Sequence, residues 1–135
     1  MKRYYLFIIG MILCLNSCKN SSTPTTIHDN LNSPVTTNVT NSFTFSVNAN
    51  QFSMTSDNVL NFLSDSLVIT LSSTSYISGQ AIIVVSDSSS ATIFSDTIKS
   101  NKVIAIAHLK AAPPKHCSFD ISNLEASLAF VVVGQ

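Results

Sequence analysis

Ser42-Phe43-Thr44-Phe45-Ser46-Val47-Asn48-Ala49 alternates polar and apolar side chains without a break. Successive side chains of an extended chain point to opposite faces. This period of two therefore puts Phe43, Phe45, Val47 and Ala49 on one face and the polar residues on the other, the pattern of a half-buried strand. The same alternation returns downstream, where Leu67, Ile69 and Leu71 sit among Ser66, Thr70 and Ser72. Ile82-Ile83-Val84-Val85 is a continuous β-branched run, as expected of a strand covered on both faces. Asp87-Ser88-Ser89-Ser90 is a turn cluster, and Ala91 to Ile98 follows it, so these segments predict a hairpin. Asn101-Lys102 ends that segment, and Val103 to Leu109 is again apolar and β-prone. Pro113-Pro114 interrupts the chain before Cys117 to Ile121, because proline has no N–H to give to a ladder. Leu128 to Val133 supplies a last strand.

Helical signal is confined to Asn58 to Leu63 and Ser122 to Ala126, each with room for one turn. The expectation is an all-β domain over residues 42–135. It would be a single antiparallel β-sandwich, Ig-like or fibronectin-like in outline, with seven or eight short strands and turn signals every ~8–12 residues. The chain has no Trp and no candidate cysteine pair in this region, so that likeness concerns architecture only. Phe43, Phe45, Phe94, Phe119 and Phe130 are the expected large core pieces. Truncating a buried Phe to Ala costs ~3–5 kcal/mol.

Upstream of this domain, residues 19–41 change in character. Fourteen of these 23 residues are Ser, Thr or Asn, a composition too polar to bury a core. Flexible-chain scaling gives such a segment a span of ~25 Å, enough to hold a small domain clear of lipid headgroups. Val35, Val39 and the threonines between them are the one place where it would form a short edge strand.

The N-terminus carries a different signal. Lys2 and Arg3 precede Leu6 to Leu15, an apolar run of ten residues. As a helix that run is ~15 Å long, about half of a ~30 Å hydrocarbon core. It is therefore the apolar region of a signal peptide, residues 1–17, rather than a membrane span. Leu15-Asn16-Ser17-Cys18 resembles the lipobox of bacterial lipoproteins. The resemblance covers about the first 20 residues, and Asn16 is a mild departure from it. Cys14 fits less well, since the bulky Leu13 precedes it. The resemblance implies cleavage between Ser17 and Cys18, lipid on the Cys18 thiol, and a second acylation of the new amine. Each buried CH₂ contributes ~0.8 kcal/mol, so two or three chains hold firmly where one does not. Lys19, where some lineages place a retaining Asp, leans towards the outer membrane of a Gram-negative cell envelope.

Charge and cysteine usage narrow the function. Charged residues make up 10% of the chain. Of seven Lys and Arg, two lie in the leader, leaving five against seven acidic residues and a net charge of −2. That excludes a basic stripe for nucleic acid and a polybasic patch for lipid. With Cys14 removed and Cys18 lipidated, Cys117 stands alone and no intrachain disulfide is expected.

No catalytic motif is present, and no cofactor is implied. His108, His116 and Cys117 suggest a metal, but adjacent strand residues point to opposite faces, and no finger-type spacing surrounds them. Asp57, Asp65, Asp87, Asp96 and Asp120 include no D-x-D-x-D-G calcium loop. The chain has no G-x-S-x-G elbow, and with three glycines it has no phosphate-cradling loop. Asp65-Ser66-Leu67 and Asp96-Thr97-Ile98 resemble a short O-glycosylation pattern of some exported proteins, which implies sugar on Ser66 or Thr97.

The expected function is a non-enzymatic, membrane-anchored envelope protein that binds a protein or glycan partner or fills a structural role. Ser72 to Ser78, Asp87 to Ser90 and Ala111 to Lys115 are the expected contact loops. The alternatives are a hydrolase inhibitor that inserts Ala111 to Lys115, and a glycan-binding surface module.

Overall fold

The computed structural model describes residues 30–135. Its six strands are β1 (Val35–Val39), β2 (Ser42–Val59), β3 (Ser66–Ser86), β4 (Thr92–Ile98), β5 (Lys102–Lys110) and β6 (His116–Gly134). They form one antiparallel sheet in the order β1-β2-β6-β3-β4, with β5 also paired to β3. No helix occurs among the described residues. The leader, Ser17 and Cys18 lie outside them.

The expected strand segments are present, but the chain joins several of them. Leu67–Leu71 and Ile82–Val85 are two parts of β3, which has 21 residues. Cys117–Ile121 and Leu128–Val133 are two parts of β6, which has 19. Ser122–Ala126, expected to hold a helical turn, is strand, and Leu60–Leu63 is an irregular connection. The hairpin is found as expected, with β4 returning along β3 from Thr92 opposite Ser86 to Ile98 opposite Ala81.

A short connection shows that these long strands bend. β2 ends at Val59 opposite His116, whereas the pairing of β3 with β6 begins at Leu67 opposite Gly134. A straight β6 would separate those ends by ~60 Å. Residues 60–65 reach only ~25 Å. The strands must therefore double back, and the ladder shows where. Register shifts fall between Ala49 and Met54 in β2, and between Thr74 and Gln80 in β3. Gln51, Ser75, Gly79 and Asn123 have positive φ at these points.

Main-chain hydrogen bonds then fasten the ends together. Asn41 N donates to Asn61 O at 2.9 Å, Gly134 N to Asn41 O at 2.8 Å, and Gln135 N to Ser66 O at 2.9 Å. The Asn41 side-chain oxygen accepts from Leu63 N at 2.7 Å.

The two halves of the folded sheet face each other across the aromatic core. Phe45 stacks on Phe119 at 4.2 Å between centroids, and Phe119 meets Phe130 edge-on at 5.9 Å. All five expected phenylalanines are buried. Phe62 and Leu60, in the irregular connection, are buried as well and close the end where the strand termini meet. Ile82 and Val84 depart from expectation. They are half-buried while Ile83 and Val85 are buried, because no layer covers the outer face of that half.

The polar segment expected to be linker up to Asn41 contributes β1 in its last part. Val35 pairs with Ser46 and Val39 with Ser42. Upstream, the Asn32 side chain takes the role of a strand neighbour. Its Nδ2 donates to Asn50 O at 2.9 Å, and its Oδ1 accepts from Asn50 N at 2.8 Å.

Candidate functional site

One half of the folded sheet presents β1, β2, β6, β3 and β5 side by side. Inward positions there are filled by Phe43, Phe45, Leu128, Phe130, Leu67 and Ile69. The alternating positions turn outward, and the strand registers set them in rows. One row crosses the sheet as Thr37, Thr44, Val131, Thr70 and Ala105. The next runs Val35, Ser46, Ala129, Ser72 and Val103, and a third runs Val39, Ser42, Val133 and Val68. None of these residues is charged. Charged residues make up 10% of the chain as a whole, and across these three rows the surface is wholly neutral. It offers hydroxyls and small apolar groups, and Val35, Val39 and Val103 are more than half exposed.

Two open troughs run along one end of this face. The first, about 320 Å³, lies between Asn30, Ser33 and Val35 on one side and Ser46, Asn48, Ser72, Thr74 and Ser127 on the floor. The second, about 340 Å³, shares Asn48 and Ser127 and adds Leu31, Asn50, Ser75, Ile77 and Glu125. Ser127 Oγ donates to Asn48 Oδ1 at 2.9 Å, which fixes the polar floor common to both. Amides and hydroxyls supply most of the polar groups, set among apolar side chains such as Val35, Val47, Leu128, Leu31 and Ile77, and no aromatic ring is part of the lining. Such a surface can exchange hydrogen bonds through its amides and hydroxyls.

Apart from Glu125 at the second trough, the charges lie elsewhere. On the outer face of the other half, His116 Nδ1 is 3.2 Å from Asp57 Oδ2, with both side chains largely in solvent. Asp96 accepts from Lys102 Nζ at 2.8 Å, and Asp65 lies 3.9 Å from Lys110. Asp87 holds its turn together, accepting from Ser89 Oγ at 2.7 Å, Ser89 N at 2.8 Å and Ala91 N at 2.9 Å. These donors, the Ser89 hydroxyl first, hold the Asp87 carboxyl below the usual carboxylate range. Among the described residues, no three His, Cys, Asp or Glu side chains gather where they could hold a metal ion. His108 falls on β5. Cys117 is buried, and burial pushes its thiol far above the ordinary range, with Asp57 adding to the effect.

The expected contact loops fare differently. Ser72–Ser78 is not a loop but the bending part of β3, and its outward Ser72 and Thr74 line the first trough. Ala111–Lys115 is tied down rather than projecting. Ala111 N donates to Asp65 O at 2.9 Å, Lys115 N to Ser86 O at 2.8 Å, and Leu60 N to Lys115 O at 2.8 Å, while Pro114 is buried. Thr97 is exposed on β4, whereas Ser66 is half-buried at the start of β3. Of the trough residues, Ser72, Thr74, Ser75 and Ile77 fall in the expected Ser72 to Ser78 segment, whereas those on β2, on β6 and before β1 were not picked out from sequence. Asn and Ser on the polar side of a strand carry no signal until the register sets them in rows.

No protein-family model matches the chain, and no curated protein matches its sequence.

Proposed function

We propose that this chain is a lipid-anchored protein of the cell envelope, on the outer membrane of a Gram-negative bacterium. Its folded part binds a neutral partner through the uncharged five-stranded face and performs no catalysis. The lipobox-like Leu15-Asn16-Ser17-Cys18 behind a ten-residue apolar run supports the anchor. The absence of any charge from three rows of an otherwise exposed face carries the binding reading. Neutral surfaces discriminate by shape and hydrogen bonding, since a charged ligand would lose its hydration there without gaining a counter-charge.

The folded-over sheet is best described as a β-sandwich whose layers are two halves of the same strands. Its likeness to Ig-like or fibronectin-like domains goes no further than two facing layers around one core. Of the alternatives, the amide-and-hydroxyl troughs favour a glycan module over a hydrolase inhibitor. The loop that an inhibitor would insert is the one fastened by three main-chain bonds.

Intact mass and membrane fractionation of the native chain beside Cys18→Ala test the anchor. A lipidated, membrane-bound wild type and an unlipidated, soluble variant are expected, and two soluble, lipid-free proteins would refute the reading. The same spectra test sugar on Ser66 or Thr97, since a mass equal to polypeptide plus lipid alone removes that modification. Binding is tested on a polysaccharide array and by envelope pull-down with Ser72→Lys. That change puts an ammonium at the centre of the face and should abolish any capture seen with wild type.

A further inference from the structure

We propose that β1 pairs with β1 of a second copy of this chain, antiparallel and centred on Thr37, so that two sheets join edge to edge. Among the described residues β1 pairs only with β2, which leaves its other edge open, and all five of its residues are exposed. An open edge presents unpaired N–H and C=O groups, and natural sheets blunt such edges with charge, bulges or proline.

The other free edges here are blunted. β5 has Lys102 and Lys110 at its ends and a register shift against β3. β4 has a shift opposite Val85/Ser86 and carries Asp96. The second half of β2 has two shifts and Asp57. β1 has no charge, and its ladder with β2 is regular over all five pairs. Pro34 before it and the Thr40-Asn41 turn after it limit it to five residues without protecting its middle.

The sequence of β1 also selects the occupant. Val35-Thr36-Thr37-Asn38-Val39 reads nearly the same in both directions. A two-fold contact uses the same patch twice, so it needs a strand that complements its own reverse. Centred on Thr37, an antiparallel copy sets Val35 against the partner's Val39, Thr36 against the partner's Asn38, and Thr37 against the partner's Thr37. Apolar side chains then meet apolar ones and polar meet polar, as Val–Val, Thr–Thr and Thr–Asn pairs, and no like charges oppose. A slip by one residue would set valine against polar neighbours on the opposite face, so the register is specified. Val35 and Val39, exposed at 61% and 54%, gain cover. Val35, Thr37 and Val39 lie in rows of the uncharged face, so the pairing makes one continuous face from two copies.

Five paired residues bury less than the ~1,200–2,000 Å² of a standard interface, which places the contact in the weak class. Cross-linking in intact cells suits such a contact. The full chain is made with Thr37→Cys, with Val103→Cys on the far edge as control, and as wild type to set the background from its own cysteines. Under a thiol oxidant, Thr37→Cys is expected to give a reducible dimer at least tenfold above Val103→Cys. Differently tagged Val35→Cys and Val39→Cys chains, made together, should link to each other more than either links to itself. Thr37→Cys at the level of the control, Val35→Cys linking to itself as well as to Val39→Cys, or a mixed disulfide to another protein would each overturn the proposal. Neither readout depends on lipid, so it stands or falls separately from the anchor.

Discussion

Gly79→Ala should be among the most damaging single methyl groups that can be added to this fold. Gly79 sits at the bend of β3 with φ +82, and a Cβ built on it would lie 2.1 Å from Asn123 O, 2.4 Å from Asn123 C and 2.6 Å from Leu124 N. All three atoms are main chain of the facing strand, so no side chain can swing aside. Left-handed backbone at a non-glycine residue costs ~1–2 kcal/mol. Relieving the overlap means moving β3 from β6 by more than 1 Å (roughly the gap to ordinary van der Waals contact), which disrupts the flanking pairs Ser78↔Glu125 and Gln80↔Ser122. Two ladder hydrogen bonds contribute ~0.5–1.5 kcal/mol each. The total is ~3 kcal/mol out of a stability of ~5–15 kcal/mol, or a fall in melting temperature of ~12–24 °C for a domain of this size. Thermal and urea unfolding of a soluble chain beginning at Lys19 would measure it, with Ser75→Gly as comparison. Ser75 has φ 54, so that change relieves backbone strain and should cost little or stabilise. A Gly79→Ala protein melting within ~3 °C of wild type would refute the reasoning, because it would mean the strands do not approach at the bend as described.

Further expectations follow from the interior and the turns. The Ser73 hydroxyl is buried without a hydrogen-bond partner among the described residues, so Ser73→Ala should be neutral or stabilising by up to ~1–3 kcal/mol in urea unfolding, and a clear loss would reveal a missing partner. In the chain beginning at Lys19, Cys117 is the only cysteine, and its buried, poorly ionised thiol should react with a maleimide only as the domain unfolds. Rapid labelling without denaturant would contradict that burial. The Asp87 carboxyl is held below its unfolded value by the Ser89 and Ala91 donors, so its stabilisation is present above the unfolded pKa and is lost as the pH falls through the folded one. Wild type should therefore exceed Asp87→Asn in melting temperature at neutral pH and converge with it in acid, whereas a gap independent of pH would assign the effect to geometry alone.

The faces of the strands were legible from sequence, because alternation is a local property and burial of one face enforces it. Phe43 and Phe45 sit in the core where that alternation placed them, and Phe94, Phe119 and Phe130, expected there as large apolar side chains, are buried too. The hairpin around Asp87–Ser90 was equally legible, since its turn chemistry lies within a few residues. β1 was less so. Its five residues are all exposed, so it leaves no burial pattern in a stretch whose composition is that of a linker.

Only the tertiary structure decided how the strands join and turn. Only β3 carries a glycine at its bend, Gly79, whereas β2 and β6 bend at Gln51 and Asn123, which have positive φ without being glycine. Their conformation is imposed by the core, where Phe45 on one half of the sheet must reach Phe119 on the other. Phe62 is buried for the same reason, since it fills a gap that exists only once the strand ends are brought together. The uncharged face belongs to this class too. Thr44, Val131 and Thr70 are far apart along the chain, and only the pairing of β2, β6 and β3 sets them in one row. The sequence determined which side is wet in the strands that alternate, such as Ser42–Ala49 and Leu67–Leu71, because that depends on neighbours two residues away. Which strands lie beside one another, and so what surface a partner meets, was settled by contacts between distant residues that no local pattern records.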